Sequence, residues 1–117
     1  MLMKTNELTG PALDWAVAKC EGDEVRYEGG CIRPALSQFV DDDWYQPSTD
    51  WNQGGPIIER EGICLKKGHS GWWIAKLLDV NDEEYFVMVA PTTLIAAMRC
   101  YVMDKLGNEE DIPKELL

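Results

Sequence analysis

Apolar positions recur every three to four residues near the start and towards the end of this 117-residue chain, and in short extended runs between them. The first helical stretch is NELTGPALDWAVAKCEG. Thr9 stands where a cap belongs, Pro11 falls in the first turn where its missing N–H costs nothing, and Leu8 and Leu13 hold the two positions of a hydrophobic staple. Leu13, Ala16, Val17 and Cys20 share one face, with Trp15 on its shoulder and Ala12 behind it. That small-residue face predicts a helix packed on a sheet and ended by Gly22. The second helical stretch begins at Thr92, a capping residue. It carries Leu94, Ile95, Met98, Tyr101, Val102 and Leu106 at helical spacing, with Lys105 suited to the dipole at its end and Gly107 as its exit.

Between the helices the pattern shortens. Val25 to Leu36 predicts two short strands about the Gly29-Gly30 turn. Ile63 to Leu65, Trp72 to Leu78 and Tyr85 to Ala90 predict three strands joined by turns at 68–71 and at Asn81-Asp82, hence an antiparallel meander. Phe39 to Pro56 is loop-like, yet Trp44, Tyr45 and Trp51 lie in it. Rings of that size seek burial, which predicts an ordered loop that folds on the core, with Trp44 to Pro56 closing one edge of the sheet. Gly54-Gly55-Pro56 reads as a tight corner, and the residues after it fit either a helical turn or a short strand. The tail NEEDIPKELL is expected to dock loosely through Ile112, Leu116 and Leu117, and Met3 serves as well as Met1 for a starting residue. The sum is an α+β fold in a single globular domain over 1–117: a small antiparallel sheet of three or more strands, two helices on one face, and a long ordered loop.

Composition narrows the functional classes. Hydrophobic residues at 45% and charged residues at 27% place the chain among folded proteins. Eleven basic against 21 acidic side chains give a net charge of −10, which disfavours direct binding to nucleic-acid phosphates or anionic lipid. Three acidic runs, Asp41-Asp42-Asp43, Asp82-Glu83-Glu84 and Glu109-Glu110-Asp111, are either solvated turns or a negative face for a basic partner. Cys20, Cys31, Cys64 and Cys100 form no CxxC pair and read as small buried hydrophobes in a reducing compartment, the more so as the first ten residues lack a signal-peptide core. No apolar run reaches the length of a membrane span.

Candidate chemistry is sparse. His69, the single histidine, sits in a Gly-Ser turn without a nucleophile or an orienting acid beside it in sequence, and no catalytic residue, metal site or cofactor motif emerges. Gly54-Gly55 is followed by no basic residue placed to hold a phosphate. Trp72-Trp73 in a strand must send one ring inward and the other outward, where it is either covered or a partner's anchor. Arg99, set among Ala97, Met98, Cys100 and Tyr101, calls for an acceptor. Asp50, Glu59 or Glu61 is the expected partner, and an anionic ligand is the alternative. Asp50, Trp51, Gln53, Glu59, Arg60, Arg99, Trp72 and Trp73 are therefore the candidate binding residues.

Three blocks, MKTNELTGPALDWAVAKCEG (Met3 to Gly22), PSTDWNQGGPIIERE (Pro47 to Glu61) and PTTLIAAMRCYVMDKLG (Pro91 to Gly107), resemble the NinX-like family of small phage and prophage proteins, whose function is unknown. The chain departs from the family pattern at Thr93, where proline is usual, and over Gly68 to Glu84. The resemblance implies an accessory phage protein made in the cytoplasm of its bacterial host, with no reaction and no catalytic residue to carry over. Two functional classes follow. One is a non-enzymatic protein that binds a host or phage protein through acidic and aromatic surface, with charge mimicry as one outcome. The other is a small-ligand-binding protein or enzyme whose pocket lies between residues 47–61 and the 92–106 helix, lined by Asp50, Trp51, Gln53 and Arg99. Oligomeric state is left open.

Overall fold

The computed structural model, which describes residues 1–34, 44–78 and 84–117, orders the chain as β1 (Leu2–Lys4), α1 (Gly10–Glu21), β2 (Val25–Glu28), β3 (Cys31–Pro34), α2 (Trp51–Glu61), β4 (Cys64–Lys67), β5 (Trp73–Leu78), β6 (Glu84–Ala90), α3 (Thr93–Leu106) and β7 (Glu109–Asp111). It is a mixed α+β fold, with three α-helices and small antiparallel sheets among the described residues. The predicted meander is present in the order β4-β5-β6, with Leu65, Ala75 and Met88 facing each other across the three strands and a bulge between Leu77 and Leu78. The predicted hairpin is β2–β3. Its turn needs two residues at positive φ, which Gly29 and Gly30 supply at 61° and 81°.

α3 is the axis of the molecule. Thr92 Oγ1 accepts the Ile95 N–H at 3.2 Å and caps it as predicted. Leu94 and every residue from Ala96 to Val102 are buried, so the apolar stripe is in fact nearly a full cylinder. The inner face of β4-β5-β6 covers one side of it, while α1 and α2 cover others. α1 thus packs chiefly on α3 rather than on the sheet, and its own flank holds β3 through the buried Ile32. Thr9 sits at the N-cap of α1 without a side-chain capping bond, but Leu8 and Leu13 are both wholly buried, as a staple requires.

Two expectations change at the level of elements. Gly54-Gly55-Pro56 is no corner: it lies inside α2, which makes a third helix. Residues 44–50 are ordered, but they are fastened to β3 and α1, through Tyr45 N–H to Ile32 O at 2.7 Å and Ser48 N–H to Asp14 Oδ1 at 2.8 Å. The rest of that predicted loop, with Asp41-Asp42-Asp43, lies outside the described residues, as do Asp82 and Glu83. Glu109-Glu110-Asp111 is not a solvated turn but the strand β7, paired antiparallel with β1 so that Met3 opposes Glu110. The tail is anchored more firmly than expected, with Ile112 wholly buried and Leu116 nearly so, and Leu117 exposed. Cys20 is partly buried and Cys100 buried, but Cys31 and Cys64 are exposed, contrary to the reading of all four as core residues. Burial pushes the Cys20 and Cys100 thiols up to about 12, so both stay protonated near neutrality. Among the described residues no helix is long and apolar enough to cross a membrane.

Candidate functional site

The predicted site residues fall into three separate places. The first is the start of α2. Asp50 is its N-cap and accepts the Asn52 N–H at 2.9 Å. Gln53, three residues on, donates to Asp50 Oδ2 at 3.2 Å and to Trp44 O at 2.8 Å, and accepts the Gln46 N–H at 2.9 Å. The polar groups of both side chains are spent on backbone and on each other. Trp51, expected to be buried, is 53% exposed, because the first residue of the helix projects away from the brace that Gln53 makes. Its ring borders a shallow cleft of about 280 Å³ whose other walls are Ser48, Thr49 and Thr92 to Ile95. This is where a pocket between the 47–61 segment and the third helix was expected. Of the four residues assigned to line it, only Trp51 does so; Asp50, Gln53 and Arg99 do not.

Arg99 belongs to the core. It is 7% exposed, and its Nε donates to Leu8 O at 2.8 Å while Nη1 donates to Val89 O at 3.0 Å. Among the described residues it makes no ion pair, so the expected pairing with Asp50, Glu59 or Glu61 is replaced by two carbonyls. Burial holds its pKa below the ordinary guanidinium value.

Arg60 occupies the second place, where the three helices meet. Its guanidinium grips Glu21 of α1 with two bonds of 3.0 and 2.7 Å and reaches Glu61 at 2.8 Å. It also touches Tyr101 Oη of α3 at 3.1 Å, and Tyr101 donates to Glu21 at 2.6 Å. Burial raises the Glu21 pKa, but the Arg60 and Tyr101 hydrogen bonds more than offset it and hold the carboxyl below its usual range. Lys105 adds a contact to Glu61 at 3.5 Å. Glu59 is exposed one residue before this clasp. Glu21 and Tyr101 escaped the sequence reading because their partners are 39 and 41 residues from them along the chain.

Asp14 also went unnoticed. It is a buried carboxylate on α1, where burial pushes its pKa up to about 6 against the opposing hydrogen bonds of Ser48. Nothing in the spacing of Asp14 and Ser48 announces the pair. No group of three or more His, Cys, Asp or Glu among the described residues is gathered as metal ligands would be. His69 is exposed in a 3-10 turn and its carbonyl receives the Trp72 N–H.

The third place is the sheet. Trp73 pairs with Ala90 on the face turned to the core, against which it packs, and Trp72 is 45% exposed. The two rings differ in burial as expected, but only Trp73 is a strand residue, and Trp72 stands at the exit of the 3-10 turn that leads into β5. In the register, Lys66 opposes Ile74 and Ile74 opposes Val89, while Cys64 opposes Lys76 and Lys76 opposes Val87. These residues form the face turned away from α3. Val87 and Val89 are 47% and 50% exposed on it. Branched side chains favour strands for their packing, yet here two of them meet solvent beside the partly buried Ile74.

Comparison with protein families matches residues 4–105 to the family described as bacteriophage P22 NinX. The match spans, but for a residue or two at the outer edges, the three blocks that carried the resemblance, and it includes Gly68 to Glu84. Comparison with curated proteins finds no match.

Proposed function

The chain belongs to the bacteriophage P22 NinX family, and from that premise we propose that this phage accessory protein works without catalysis, by binding a host or phage protein in the host cytoplasm. One observation carries the reading: the outer face of β4-β5-β6 exposes Val87 and Val89, and Trp72, just ahead of β5, is exposed as well, when a sheet with one face on the core ordinarily presents polar residues on the other. A Trp with large area and few rotamers is a favoured anchor at protein interfaces. The acidic half of the expected surface contributes less, since in the run 109–111 the Glu110 carboxylate is buried and paired with Lys19, and Asp111 meets the Met1 amino group. Charge mimicry thus has Glu109 and Asp111 of that run at the surface, and not Glu110.

Affinity capture from infected-host lysate tests this reading, with Trp72→Ala and Val89→Lys as controls whose melting temperatures should match the parent. The expected result is a partner retained by the parent and lost by both variants. A second reading, ligand binding in the cleft beside Trp51, is supported by that ring standing exposed at the rim. No reproducible partner, together with a metabolite-dependent rise in melting temperature that Trp51→Ala removes, would favour the cleft.

A further inference from the structure

The outer face of the sheet differs from the rest of the molecule in charge as well as in polarity. The chain carries 21 acidic residues against 11 basic ones, yet Lys66 and Lys76, both cations, lie on this face. Lys76 is engaged within the chain. Lys66 is exposed and, like Lys4, Arg26, Lys67 and Lys114, forms no ion pair among the described residues; what sets it apart is its place on this face. Lys66 stands in β4 directly across from Ile74, with Val89 next in the row, so an unneutralised ammonium borders the apolar strip.

Resting on the protein-binding reading above, we infer that the occupant of this face is an amphipathic segment of another protein, with apolar side chains for Trp72, Ile74, Val87 and Val89 and at least one carboxylate placed for Lys66. A second copy of the chain fits poorly. Two such faces related by a twofold axis would bring the lysines of both copies into one interface. A partner's carboxylate meets Lys66 at contact distance, whereas repulsion from the chain's net charge of −10 acts across lengths beyond about 8 Å, where physiological salt screens it.

The test is zero-length carbodiimide cross-linking of the full chain in infected-host lysate, followed by mass spectrometry. Salt titration of the captured complex and the variants Lys66→Glu and Trp72→Ala accompany it. The expected result is a Lys66 amide to an Asp or Glu of a different protein, in a complex that weakens as salt rises and binds about tenfold more weakly with Lys66→Glu. A Lys66 cross-link to another copy of this chain would overturn the inference in favour of self-association. A partner lost with Trp72→Ala but indifferent to salt and to Lys66→Glu would overturn the acidic chemistry and leave the binding face standing. A complex unaffected by Trp72→Ala would remove the face itself, and the protein-binding reading with it. Both variants lie at exposed positions, and a thermal melt equal to the parent's shows that each loss is one of binding.

Discussion

At Arg99 a guanidinium sits inside the core with two carbonyl oxygens as its hydrogen-bond partners, and those carbonyls belong to different layers: Leu8 ahead of α1 and Val89 in β6. The planar fork can serve both at once; a lysine ammonium has no such fixed geometry. Arg99→Lys should therefore cost about 1–3 kcal/mol, read as a lowered urea midpoint, because one buried carbonyl loses its donor. The demand for a partner at Arg99 was legible in its apolar neighbours. Its identity was not, since every residue carries a carbonyl and only carboxylates show in a sequence. Asp14 gives a prediction with a sign. Its folded pKa of about 6 exceeds the roughly 3.9 of an unfolded chain, so its contribution is fully present below about pH 4 and is lost as pH rises through 6. Asn at position 14 keeps an oxygen for the Ser48 N–H and carries no charge. Asp14→Asn should match the parent near pH 4 and exceed it by about 2 kcal/mol at pH 7.5, measured by denaturant unfolding at both values.

Among the elements, α2 is the one whose sequence argues against itself. Asp50 and Gln53 have the spacing of a capping box, a signature of a helix start. Gly54, Gly55 and Pro56 then follow, three residues with the poorest helix propensity. Propensity favours a corner; what overrides it is packing. A β-carbon at Gly54 would run into the Pro47 carbonyl oxygen and stand 2.7 Å from Leu94 Cδ2, so glycine is what lets α2 approach α3. Gly55 has only the Trp51 ring at 3.6 Å, an ordinary contact. The two neighbours should thus respond oppositely. Gly54→Ala should lower stability by about 1–3 kcal/mol through overpacking, and Gly55→Ala should raise it by about 0.5–1 kcal/mol through helix propensity, both checked by thermal melts. The clasp at Arg60 completes the same logic, since it ties the last turn of α2 to α1 and α3 through side chains that sequence spacing could not bring together.

For the whole molecule, the α+β class and the meander were legible because short turns between apolar runs leave few ways to pair. The layering was not: α3 was read as a stripe, and only the assembled fold shows it enclosed by the sheet and the other helices. The tail was misjudged for a related reason, as its acids hid a strand and its Ile112 had no visible partner. Ile112 is wholly buried, and Ile112→Ala should cost about 2–4 kcal/mol, a loss that a merely adhering tail would not show in an unfolding curve. The β1–β7 ladder, in which Leu2 opposes Asp111 and Lys4 opposes Glu109, has a consequence for how the protein is made. A ribosome that adds about 5–20 residues per second delivers β7 several seconds or more after β1. Until then Leu2 to Lys4 waits without its strand partner, and this ladder can close only once β7 has left the exit tunnel.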